Sequence, residues 1–254
     1  MLKKMRRGLA AGMLAVVVTL PGGAQPAQAV VDPATVIAVA QQAYALWKEF
    51  KGGDKSLEQA TQQIIASIES AKTAILSRVD LLAAAEARAC ARHAVVELAD
   101  IGQFDAATMR SWAQDVTGCV TLIDSLAATV TDQSAIDQLG FAVNSIGPIA
   151  LVARARAGFS TQALTAVLVG ANNTVATKID PPCVQQQIAQ HSGLRITIRK
   201  TCTAGNGDSA FQDVTGHILN APNFVFDTPR LKTEASRNTS KPLAISVVPL
   251  LSAA

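Results

Sequence analysis

The chain has 254 residues, 49% of them hydrophobic and only 4% aromatic, with 22 Lys+Arg against 19 Asp+Glu and a formal charge of +3. A core must then be built from Ala, Val, Ile and Leu, and few rings are left for a surface that stacks on sugar faces. Lys3, Lys4, Arg6 and Arg7 supply four of the cations, so residues 30–254 hold 18 cations against 19 anions, without the basic stripe of a nucleic-acid binder.

Those four cations open a three-part pattern. The apolar run Leu9–Leu20 follows, then the breaker Pro21-Gly22-Gly23, then the small-x-small triplet Ala27-Gln28-Ala29. This order predicts a secretory signal over residues 1–29, cleaved after Ala29. The apolar run is shorter than the ~20 residues of a membrane span, and the stretch Pro242–Leu251, interrupted by Pro249, is shorter still. The leader contains no cysteine to carry a lipid. The four cysteines elsewhere, Cys90, Cys119, Cys183 and Cys202, are an even set in an exported chain and predict two disulfides. The expected product is secreted, extracellular and soluble.

Residues 30–180 read as helical. Asp32 before Pro33 is a helix start, and Gly52-Gly53 a stop. Between them Val36, Ile37, Ala40, Tyr44 and Trp47 recur at helical spacing. From Asp54 to about Ile101 there is neither Gly nor Pro. Leu57, Ile64, Ile68, Ala71, Ile75, Val79 and Leu82 form one stripe, the gap bridged by Thr61, and predict one helix of roughly 47 residues and ~70 Å. The stripe degrades where Glu86 and His93 meet the seam, so an unbroken coiled coil is not expected. Cover by a second copy leaves dimerisation open.

Asp100–Asp105 reads as a turn, with Asp105 capping a helix to about Val130. Facing residues of an antiparallel hairpin lie equally far from its turn, and the midpoint of 90 and 119 falls between Phe104 and Asp105. This predicts Cys90–Cys119 across two neighbouring helices and leaves Cys183–Cys202 to close locally. Two more helices are expected. One runs from Asp132 or Ser134 toward Ala157 with a kink at Gly147-Pro148; the other runs from Ser160 to about Ile179.

Residues 181–254 differ in texture. Leu194–Arg199 alternates as a strand, Thr203–Asp208 is a turn, and Phe224–Phe226 and Ala244–Val248 are further strand candidates. The charge shifts from 11 cations and 15 anions over 30–180 to 7 and 4 over 181–254, which suits electrostatic docking on the helical part. The expected class is mainly α: an elongated antiparallel bundle of about five helices over 30–180, and a small disulfide-closed α+β or β-rich region over 181–254. No repeat of fixed period is found.

Motifs for chemistry are sparse. His93, His191 and His217 are far apart, with no H-E-x-x-H or paired C-x-x-C, so no metal or other cofactor is expected. Gly205–Ala210 fits G-x-G-x-x-A without the long helix a dinucleotide site requires. It also contains Gly-Asp-Ser, but without the context of a serine hydrolase. Ser209, Asp213 and His217, spaced by four, hold the ingredients of a triad should they lie on a helix; a polar turn explains them as well. The pair Glu58 and Glu69 reads as a solvated face. Asn172-Asn173-Thr174 and Asn238-Thr239-Ser240 are chance glycosylation matches in a chain whose leader and composition look bacterial.

Ile146–Val169 carries two apolar segments around Arg154 and Arg156. At the level of architecture this resembles helical pore-forming proteins, with Ile149, Leu151, Val152, Leu164, Val167 and Leu168 as the residues that would meet a bilayer. A buried bundle core explains the same residues. The functional expectation is a non-catalytic helical protein that binds a protein or cell-envelope partner. A membrane-active, pore-forming-like protein is the alternative, and a serine hydrolase using Ser209 and His217 comes third.

Overall fold

In the computed structural model, which describes residues 32–252, the first helix begins where its cap does. The signal-peptide reading over 1–29 lies outside the described residues. The Asp32 carboxylate accepts the Ala34 N–H at 3.0 Å, Pro33 opens α1 (Pro33–Gly52), and Gly53 closes it at φ 88°, a conformation only glycine adopts freely. A capping box between Ser56 and Gln59 starts α2 (Leu57–Ser70).

The single long helix expected over 54–101 is broken twice. Ala71, at φ −116°, separates α2 from α3 (Lys72–Val79). A turn at 80–84 then precedes α4 (Ala85–Glu97), which ends in a 3-10 turn, Leu98–Asp100. Neither break has a Gly or Pro. The second break lets the apolar residues on both sides of it be buried: Leu82 is 2% exposed, and Ala87, Ala91, Ala94 and Val95 lie in the core. Arg92 bridges to Asp80 at 2.9 Å across the turn, and the Arg88 guanidinium donates to the Leu82 carbonyl at 3.3 Å. Burial and these two bonds offset the backbone bonds lost at the bend.

Asp105 accepts the Thr108 N–H at 2.7 Å and starts α5 (Ala106–Thr129). Cys90–Cys119 joins α4 to α5 with the Cα atoms 5.6 Å apart. Asp132 caps α6 (Gln133–Arg156), and α7 (Gln162–Lys178) follows. α6 is the axis of the fold. It contacts α1 to α5 and α7, and every residue from Leu139 to Ala153 is buried.

Three antiparallel strands come next, in the order β1 (Cys183–His191), β2 (Arg195–Thr203), β3 (Ser209–His217). Cys183–Cys202 links β1 to β2. The helix α8 (Thr228–Ala235) covers one face, where Cys202, Ala210, Leu231 and Ala235 make a small core. The class is therefore mainly α with a small C-terminal sheet and two disulfides, although nine helices are found among the described residues where about five were expected. Phe224–Phe226 is not a strand: it follows a 3-10 turn, and the Phe224 ring fills the space where a Cβ on Gly216 would come within 2.6 Å. Nor is Ala244–Val248. It lies inside α9 (Ser240–Ser252), whose Leu243, Ala244, Val247 and Leu251 fall at helical spacing and pack on α1, α6 and α7.

Helix α6 admits its neighbours closely. A Cβ on Gly140 would overlap Ser240, and one on Gly147 would overlap the Tyr44 hydroxyl of α1. That hydroxyl is fully buried with no hydrogen-bond partner, and burial pushes the phenol well above its ordinary range. Asp137 accepts the Ser240 N–H at 2.5 Å at the start of α9. Burial nonetheless holds its carboxyl above the usual range, against the pull of the Ser240 hydrogen bonds and of Arg78. Asn144 donates to the Asn172 amide oxygen at 2.8 Å, so α6 and α7 share a buried polar pair.

Tyr44→Phe removes an unpartnered buried hydroxyl and should raise stability by about 1 kcal/mol. Gly147→Ala should lower it by about 1–3 kcal/mol through overpacking, and by less in the Tyr44→Phe background. Urea denaturation of the four chains checks both. Because the folded pKa of Asp137 is raised, its carboxyl favours folding below the unfolded value of about 3.9, and this contribution is lost as pH rises through the folded pKa. Asp137→Asn keeps an acceptor for Ser240, so its stability relative to wild type should rise between pH 3 and pH 7; a flat difference would contradict the assignment.

Candidate functional site

The least covered part of the described chain is the C-terminal sheet. Its hydrogen-bond phase follows from two bonds. Thr203 N–H donates to the Pro182 carbonyl at 3.1 Å, and Ala204 N–H donates to the Asp208 carbonyl at 2.8 Å. With Cys183 opposite Cys202, Val184 and Gln186 therefore bond to β2, while the N–H and C=O groups of Cys183, Gln185 and Gln187 point away from it. Ile188 is an extra residue that shifts the register beyond. Residues 184–188 are all exposed, and β1 is held chiefly by β2. The strand lacks the Lys, Pro or acidic residues that usually blunt an edge. β3 is contacted by α8, and its Gln212 side chain accepts the Asp227 N–H at 2.8 Å.

The face away from α8 is open. Val184, Thr201 and Phe211 form one cross-strand row, and Gln186, Arg199 and Asp213 the next. Arg199 donates from Nε and Nη2 to the two Asp213 oxygens at 2.8 Å each, and its guanidinium lies 4.0 Å from the centre of the Phe211 ring. The hydrogen bond to Asp213 pushes Arg199 up, and the bond from Arg199 holds the Asp213 carboxyl below its usual range. Further along, His191 Nε2, Thr197 Oγ1 and Thr215 Oγ1 form a chain with steps of 2.9 and 2.8 Å. Phe211 is 54% exposed and Val184 67%. A rigid, half-apolar, half-polar platform results.

Other residues singled out by sequence lie elsewhere. Ser209, Asp213 and His217 lie on a strand, not on a helix, and successive members are about 14 Å apart at ~3.4 Å per residue. Asp213 is taken by Arg199, and His217 Nδ1 accepts the Leu219 N–H at 3.3 Å, so the structure does not assemble the three. Gly205–Ala210 is the β2–β3 turn and the start of β3. Gly205 lies against the first turn of α6, where a Cβ would come within 2.6 Å of Ser134 N. His93 is exposed on α4, and the described residues hold no group of His, Cys, Asp or Glu able to bind a metal.

Ile149, Leu151, Val152, Leu164 and Leu168 are 2% exposed or less and Val167 is half-buried, so all six pack within the bundle. Among the described residues α6 is the one helix long and apolar enough to cross a membrane, and most of it is buried inside the fold. The edge residues Gln185 and Gln187 went unnoticed in the sequence. Their signal was only a nine-residue stretch without charge or proline.

No family model, curated protein or solved structure matches the chain. The class rests on the fold alone: a disulfide-stapled helical protein with a bare sheet edge. Treatment with a fluorophosphonate is expected to add no mass at Ser209, checked by intact mass spectrometry and peptide mapping.

Proposed function

We propose that this is a secreted, non-catalytic binding protein that holds a protein or cell-envelope partner by adding an extended segment of it to β1. The outward N–H and C=O groups of Cys183, Gln185 and Gln187 carry the reading, since strand addition draws affinity from such main-chain groups and specificity from alternate side chains. Val184 and Gln186, on the open face of β1, would then lie beside the added strand and meet its side chains, with the Arg199–Asp213–Phe211 cluster on the strands behind them. Two disulfides are compatible with an extracellular protein, and the leader over 1–29 supports export. The nearest described alternative is membrane activity, favoured by the stretch of α6 from 138 to 153 that carries no charge. That reading requires α6 and α7 to leave the core. Failure to release dye from vesicles across pH and lipid charge would count against it.

Gln185→Pro deletes one outward N–H while sparing the bonds to β2, and Gln186→Pro cuts the ladder itself. On immobilised protein incubated with envelope extracts, Gln185→Pro is expected to lose the partner retained by wild type without a drop in melting temperature. Gln186→Pro should lose both. Equal retention by wild type and Gln185→Pro, or no retention by either, refutes strand addition.

A further inference from the structure

A second feature lies on the helical bundle and does not depend on β1. Between the end of α1, the α6–α7 loop and the first turn of α7 is a cleft of about 560 Å³, within the range of small-molecule sites. The chain has two Trp, one Tyr and seven Phe, and three of these rings, Trp47, Phe50 and Phe159, meet here. The Trp47 and Phe50 rings lie 5.2 Å apart. The loop that brings Phe159 is set in place. Gly158 takes φ 76°, Arg154 Nε donates to the Ser160 carbonyl at 2.7 Å, and the Arg154 guanidinium lies 5.4 Å from the Phe159 ring centre.

The polar lining has one sign. Lys51 is its charged residue, Thr161 and Thr165 add hydroxyls, and no carboxylate is present. Lys51 also lies in the last turn of α1, where it offsets the partial negative charge of the terminal carbonyls. Thr161 precedes α7 without capping it; Ser160 Oγ accepts the Gln162 N–H at 3.4 Å, and the next N–H groups of the first turn, those of Ala163 and Leu164, have no side-chain acceptor. An independent observation points the same way. Trp47 lines the cleft, is 1% exposed, and its indole Nε1 has no hydrogen-bond partner. A buried donor without an acceptor costs free energy that a ligand acceptor would recover.

We propose that this cleft binds a small amphiphilic carboxylate. The apolar body of the ligand lies on Phe50 and Phe159, above the buried Trp47. Its carboxylate takes the Lys51 ammonium and the open N–H groups at the start of α7, a pairing that helix N-termini favour. A neutral molecule of the same shape gains the ring contacts and loses the charged ones.

Trp47 is the reporter. In the full chain carrying Trp112→Phe, sodium decanoate is titrated against Trp47 fluorescence, with decanol as the neutral match. Saturable binding of decanoate is expected, with decanol about tenfold weaker, the usual loss for one charge-assisted bond. Lys51→Ala should weaken decanoate about tenfold and leave decanol unchanged, whereas Phe159→Ala should weaken both. Calorimetry on the wild-type chain replaces fluorescence should Trp112→Phe fail to fold. Equal affinity for decanoate and decanol, no effect of Lys51→Ala, or no saturation below the micelle range overturns the proposal. So does a response to phosphatidylglycerol vesicles without one to monomeric decanoate, which would mark a lipid surface as the ligand.

Discussion

The burial of α6 sets the task of the other helices. From Leu139 to Ala153 the helix shows no face to solvent, so it must be wrapped on all sides, and no amphipathic pattern can appear on it. Gly140 and Gly147 let α9 and α1 approach its backbone closely. The polar groups that this burial traps are handled unequally. Asn144 finds Asn172, and Asp137 finds the start of α9, whereas the Tyr44 hydroxyl is left without a partner. The core is therefore tight at α1 and α9, and small changes in volume there are felt directly.

The bend after Val79 follows from the same constraint. A straight rod of ~70 Å would carry its second half beyond the end of α6, which spans about 36 Å at 1.5 Å per residue. Folding back at 80–84 returns Ala87, Ala91, Ala94 and Val95 to the core and brings Cys90 to Cys119. The disulfide then links α4 to α5 beside the turn. In the chain-entropy model such a closure stabilises by about 3 kcal/mol, chiefly by restricting the unfolded chain.

The second disulfide works on a sheet with little core of its own. Cys202, Ala210, Leu231 and Ala235 are few, and the turn at Gly205 is seated against α6. β1 gains its order from β2 and the Cys183–Cys202 bridge more than from burial. An edge stabilised in this way can leave its outward groups exposed and still stay extended. The cleft at Trp47 is built on the opposite principle: its rings are fixed by helix ends and by Arg154, in a part of the bundle where packing is otherwise dense.

Local signals were legible before the fold was known. Asp32, Asp105 and Asp132 mark helix starts because a side-chain oxygen satisfies N–H groups two or three residues on, and that requires nothing distant. The Cys90–Cys119 pairing was readable because a hairpin is symmetric about its turn. What depended on distant partners was not. The bend at 80–84 exists to meet α5 and α6, and α9 is helical because Leu243, Val247 and Leu251 have the bundle to pack on, against the strand preference of Ile245, Val247 and Val248. β1 and β3 pair with β2, so their existence is a property of the sheet and not of either segment. The two candidate binding features arise the same way. Trp47 and Phe159 are 112 positions apart in the chain, and only packing brings such rings together, while an edge is an edge only once the strands are ordered. Composition and capping determined that residues 32–180 are helical and where several of those helices start; packing on the bundle decided α9, and the burial of α6 decided how the helices meet and which surfaces remain open.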